Sequence, residues 1–122
     1  MIDVQKINGK DAIVITRGDC GVIAVDMGDY TMAADDTLEL TVRNTPTPES
    51  EILLHVVSEA GSPKLILQSE DTDIPAGRYS CDIQLNHNGC TYTGFPAIDG
   101  ASGYKTSNLR NFIVCAEVTR HE

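Results

Sequence analysis

The sequence predicts an all-β fold, an antiparallel β-sandwich or barrel, on three observations. From Tyr79 to Leu85, apolar Tyr79, Cys81, Ile83 and Leu85 alternate with polar Ser80, Asp82 and Gln84. A period of two marks a strand with one face in a core and one in water. Asn-Gly pairs stand between β-prone runs at Asn8-Gly9 and Asn88-Gly89, a strong short-range hairpin signal. Short extended runs recur at roughly 8–12-residue spacing, as in antiparallel all-β domains.

Along the chain, Val4–Ile7 and Ala12–Thr16 form the first predicted hairpin. Arg17-Gly18-Asp19 breaks the pattern before Gly21–Val25 resumes it. That tripeptide matches an integrin-binding motif, but three residues carry little specificity; a turn with Gly supplying backbone freedom accounts for it. A polar stretch including Gly28-Asp29-Tyr30 and Ala34-Asp35-Asp36 precedes Thr37–Arg43, where Leu38, Leu40 and Val42 alternate with polar neighbours. Thr45-Pro46-Thr47-Pro48 cannot continue a sheet, because proline has no N–H for the ladder. Glu49–Ala60 is the best helix candidate, yet its Ile52-Leu53-Leu54 and Val56-Val57 runs fit a buried strand equally. Leu65–Leu67 follows the turn residues Gly61-Ser62-Pro63. The acidic loop Glu70-Asp71-Thr72-Asp73 and a Pro75-Ala76-Gly77 turn then lead into the alternating strand. Asn86-His87-Asn88-Gly89 reads as a turn into Cys90–Thr93, and Phe112–Thr119 closes the set with Phe112, Val114, Ala116 and Val118 facing one way.

Gly94–Arg110 departs from this regularity. It carries Gly94, Gly100 and Gly103 with Pro96, Ser102, Ser107 and Asn108. Excursions of this length in compact domains are often functional. The segment also holds Phe95, Ile98 and Tyr104, side chains a purely solvated loop disfavours. The reading is one long Gly-rich loop that either is simply mobile or projects and packs on itself or on a neighbouring subunit, with Phe95, Ile98 and Tyr104 as the candidate assembly contacts.

A chain of 122 residues is expected to be one domain spanning residues 1–122. Trp is absent and Phe occurs twice, so the core must come mainly from Ile, Leu, Val and Ala. A net charge of −9, with nine dispersed Lys and Arg, argues against nucleic acid, which needs a concentrated basic stripe. No apolar run approaches the ~20 residues of a membrane span. Met1–Lys6 lacks the basic start and apolar core of a secretory signal, so cytosolic synthesis without membrane insertion is expected. Cys20, Cys81, Cys90 and Cys115 show no C-x-x-C spacing, the usual mark of zinc; buried thiols acting as small hydrophobes are expected.

Reactive constellations are weak. His55, His87 and His121 lie far apart in sequence. His87 near Cys90 is the best nucleophile pair, but no third group is evident to orient the imidazole. Asp35, Asp36, Glu70, Asp71 and Asp73 follow no calcium-loop pattern and read as solvated loop tips. A phosphate loop, a G-x-S-x-G elbow and an H-E-x-x-H helix are all missing from the sequence. The expectation is a protein without catalytic residues, metal or cofactor.

Certain runs in order carry a resemblance: Ile13-Val14-Ile15-Thr16-Arg17-Gly18-Asp19, Leu38–Arg43, the Pro-x-Gly-x-Tyr-x-x-Asp-Ile-Gln-Leu segment from Pro75 to Leu85, and a closing Glu117-Val118-Thr119. Together they resemble a family of small phage and prophage structural proteins, typified by the immunoglobulin-like N-terminal domain of the baseplate upper protein of tailed phages of Gram-positive bacteria. The Pro75–Leu85 segment is its distinctive part. The Gly94–Arg110 segment is longer than the family pattern, and Cys81 stands where an aromatic is usual. The resemblance implies an antiparallel immunoglobulin-like β-sandwich and a non-enzymatic tail, baseplate or head-decoration module located in the virion. Its implied partners are other phage structural proteins or further copies of itself in a homo-oligomer. A stand-alone sandwich binding carbohydrate is the alternative, although four Tyr and no Trp make a thin supply of aromatic platforms. A small metal- or thiol-dependent enzyme would need the scattered Cys and His to converge.

Overall fold

The computed structural model describes residues 3–7, 10–27, 29–45, 49–95 and 110–117. These form nine strands and no helix: β1 (Asp3–Ile7), β2 (Lys10–Thr16), β3 (Gly21–Ala24), β4 (Thr37–Arg43), β5 (Ile52–Val57), β6 (Lys64–Leu67), β7 (Gly77–His87), β8 (Cys90–Phe95) and β9 (Phe112–Cys115). The ambiguous Glu49–Ala60 stretch is therefore strand at its centre. Its β-branched and leucine run pairs with β4 from Glu39–Val57 to Arg43–Ile52. The pairing shifts between Val42 and Arg43.

The larger sheet runs β1-β2-β9-β7-β4-β5, with β8 also on β7; β3 and β6 form a second sheet. All pairings are antiparallel except β2 with β9, which is parallel from Ile13–Phe112 to Thr16–Cys115. This corrects the expectation of a wholly antiparallel fold. Side-chain alternation is the same in both kinds of ladder, so local sequence does not encode strand direction.

The alternation places its apolar residues as expected. Leu38, Leu40 and Val42 of β4 are enclosed, as are Tyr79, Cys81 and Ile83 of β7, with Leu85 half-buried. Ile23, Leu65 and Leu67 from the second sheet join the same cluster with Ile13, Ile15, Phe112 and Val114. Each enclosed aliphatic of this kind stabilises by about 1.5–3 kcal/mol. The hairpin from β7 to β8 closes through Asn88 (φ 49°) and Gly89 (φ 77°). Positive φ at both central positions is the type I′ geometry that Asn-Gly favours. Gly18 also has positive φ (83°), a backbone conformation that L side chains rarely adopt, so Arg17-Gly18-Asp19 is a turn whose backbone calls for its glycine. In β9 the inward set stops early: Phe112 and Val114 are buried, but Ala116 is exposed and beyond the strand. Val118 lies outside the described residues.

β7 is the longest strand, and its two edges are used differently. β4 takes one edge over Ser80–Asn86. The other edge is shared by β9 at Gly77–Tyr79 and β8 at Ile83–His87. Between them Cys81 has no strand partner on that side, and the Asn111 side chain fills the gap. Cys81 N–H donates to Asn111 Oδ1 (2.8 Å) and Asn111 Nδ2 donates to Cys81 O (3.1 Å). A buried side-chain amide thus stands in for one rung of the ladder, while the main-chain carbonyl of Asn111 accepts from Ile13 N–H at 2.8 Å.

Candidate functional site

The three residues expected to form an assembly loop are not brought together by what is described. Phe95 closes β8, its backbone opposite Ile83. The Gly-rich excursion therefore begins after β8 rather than at Gly94. Ile98 and Tyr104 lie outside the described residues, as do 96–109 generally.

The cysteines correct another expectation. Cys81 alone is buried; Cys20, Cys90 and Cys115 are exposed, and all four are free thiols. Cys90 and Cys115 sit at strand ends, where alternation no longer guarantees cover. Burial pushes the Cys81 thiol far above its ordinary value, so it is an inert core group.

Asp36 is a further correction, since it is no solvated loop tip but only 2% exposed. It sits at the end of the β3–β4 connection, immediately before β4. Tyr30 hydroxyl and Ala33 N–H (2.9 Å) donate to its Oδ2, and His87 Nδ1 lies 2.6 Å from its Oδ1. The Tyr30 ring meets the imidazole edge-on, with centroids 6.2 Å apart. The Tyr30 hydroxyl bond first, then those from His87 and Ala33, hold the Asp36 carboxyl down at about 2 against the opposing effect of burial. The same bond raises Tyr30.

An Asp–His pair is also the arrangement that orients a general base, so the partner of the second nitrogen matters. His87 Nε2 lies 3.1 Å from Asn88 Nδ2, an amide donor, so the ring accepts there while Nδ1–H faces Asp36. Both nitrogens are engaged within the protein. The cluster ties the β3–β4 connection to the β7–β8 hairpin. Because the Asp36 carboxyl lies below its ordinary 3.8, its contribution to stability is complete above that pH and is lost as pH falls toward about 2. The stability advantage of the native chain over Asp36→Asn is expected to shrink over that interval, read as the difference in urea midpoint at each pH.

The other buried polar residues serve similar ends. Ser58 Oγ accepts from Leu38 N–H (2.8 Å) while Ser58 N–H donates to Leu38 O (2.8 Å). Thr72 Oγ1 donates to Asp19 O (2.7 Å). At the surface, Arg17 Nε donates to Asp73 Oδ1 at 2.8 Å. No group of three or more His, Cys, Asp or Glu among the described residues could hold a metal ion.

The remaining candidate is a surface. β5 ends the strand order of the larger sheet, and no described strand pairs with its outer edge. Its sequence, Ile52-Leu53-Leu54-His55-Val56-Val57, contains neither proline nor a carboxylate nor lysine. Ile52 is 50% and Val57 49% exposed. Because Ser58 N–H turns toward β4 to meet Leu38 O, alternation turns the N–H and C=O of His55 and Val57 to the open side. Sheets normally blunt such an edge with charge, proline or a covering element. On the outer face His55 Nε2 pairs with Glu39 Oε2 at 2.5 Å, and Asn86 Nδ2 donates to Glu39 Oε1 at 3.2 Å. These two bonds, His55 first, hold the Glu39 carboxyl below its ordinary value. A second apolar spot lies on the small sheet, where Val22 and Ile66 are register partners and half-exposed.

Sequence reading identified β5 as a segment but not as an edge, because strand order is set by long-range pairing. The available signal was its apolar run, interrupted only by His55 and holding no carboxylate, lysine or arginine. Comparison of the chain with protein-family models, curated proteins and solved structures finds no match.

Proposed function

We propose that this chain is a non-enzymatic immunoglobulin-like β-sandwich that acts through protein–protein contacts, as a tail, baseplate or head-decoration module of a phage or prophage virion. The observation that carries the contact role is the outer edge of β5, which no described strand pairs and which holds no proline, carboxylate, lysine or arginine. In a particle, a neighbouring protein covers such an edge; in a free monomer it is an association hazard.

The immunoglobulin-like reading is supported by a tyrosine corner. Tyr79 hydroxyl donates to Pro75 O at 2.5 Å, near the start of β7 and two residues before Cys81. That geometry recurs at the sixth strand of immunoglobulin-like sandwiches. The facing of β3–β6 against β9-β7-β4-β5 suits the same layout. The phage assignment rests on the Pro75–Leu85 resemblance. Purified particles from the source cell, after induction, are expected to contain the chain in a fixed ratio to other tail or head proteins by mass spectrometry. Its absence from such particles overturns the virion role.

One observation favours a carbohydrate-binding module instead: Tyr30 and Tyr92 are both exposed. A glycan that perturbs the NMR signals of both rings would establish that reading.

A further inference from the structure

From the charges around β5 we infer that its partner is an extended, apolar segment of a different protein with basic residues at both ends, added to the sheet as a further strand. The inference rests on the contact role proposed above and names the partner that role requires.

The main-chain requirement is generic. His55 and Val57 offer N–H and C=O groups along the open side of β5, and any extended chain can answer them. The side chains are less permissive. Ile52 and Val57 present apolar surface at the two ends of the strand, which favours apolar residues in the added strand.

Charge then selects among partners. Glu49 and Glu51 precede β5 and Glu59 follows it, all exposed. The chain as a whole carries −9. The strand is thus an apolar track with carboxylates at both ends. A second copy of this chain is a poor occupant. Self-association brings together two chains of net charge −9, each with exposed carboxylates at both ends of the strand, and like charges that meet across a ladder are destabilising. A strand with Lys or Arg at its ends converts the same positions into attractions and gains steering from the overall negative field.

The test uses two synthetic peptides of alternating Val and Thr, one with lysine at both ends and one with glutamate at both ends. Binding to the full chain is followed by fluorescence anisotropy and by amide hydrogen exchange. The lysine-ended peptide is expected to bind about tenfold more tightly than the glutamate-ended one, to weaken as salt rises, and to slow exchange at His55 and Val57. Glu51→Lys combined with Glu59→Lys, both at exposed positions, is expected to invert the preference. Equal binding of the two peptides, or protection appearing elsewhere than β5, overturns the inference. So does a free chain that sediments as a dimer and becomes monomeric on Val57→Lys. That last result would leave the contact role standing with a second copy as occupant. Absence of the chain from particles would remove the virion role and leave the peptide result intact.

Discussion

Replacing Asn111 with leucine is expected to destabilise the fold by roughly 2–4 kcal/mol, a large share of the ~5–15 kcal/mol that holds a typical domain together. Leucine has similar bulk, so the cost comes from hydrogen bonding rather than volume. Asn111 is 2% exposed and satisfies both main-chain groups of Cys81. Without it, one N–H and one C=O remain in a site that water does not reach, each costing about 1–3 kcal/mol. The position is the gap on β7 between β9 and β8, where neither strand can slide to cover the loss without giving up its own register. Asn111→Asp is expected to be no better: it keeps an acceptor for Cys81 N–H but offers Cys81 O no donor and buries a charge. A urea midpoint lowered at unchanged slope is the measurement. A shift of less than ~1 kcal/mol would mean that the ladder closes without the amide.

How much of this was legible in the sequence depends on whether the controlling interaction is local. β4 and the inner face of β7 could be read from alternation alone, because Leu38, Leu40, Val42, Tyr79, Cys81 and Ile83 each sit two residues from the next. The type I′ turn at Asn88-Gly89 was legible for the same reason, its chemistry being contained in two residues. Asn111 was not. A polar residue between Arg110 and Phe112 looks like the end of a loop, and its partner is 30 positions away. Asp36 and His87 meet across 51 positions, so each looked like an isolated polar side chain in a turn. The parallel joining of β2 and β9 links the two ends of the chain, and nothing near either strand records it. The candidate contact surface shares this limit. The apolar run of β5 was plain, but its standing at the end of the sheet is a property of topology.

Phe112→Ala is expected to cost about 3–5 kcal/mol, the largest effect of any single truncation in the core. Phe112 heads the fully enclosed side chains in volume at 0% exposure, and the sequence holds no Trp to share its role. It lies opposite Ile13 on β2 and Tyr79 on β7, so the cavity opens where three hydrogen-bonded strands meet. Collapse around it would strain two registers at once, which keeps the penalty toward the upper part of the range. Phe112→Leu refills most of the space and is expected to recover more than half of the loss. Combining Phe112→Ala with Asn111→Leu should depart from additivity, because the two residues are adjacent and serve the same junction. In the strand order, β9 is separated from β5 by β7 and β4. Under conditions where Phe112→Ala remains folded, its affinity for the lysine-ended peptide should therefore match that of the native chain. A core variant that lost peptide binding while still folded would place the docking strand elsewhere than β5.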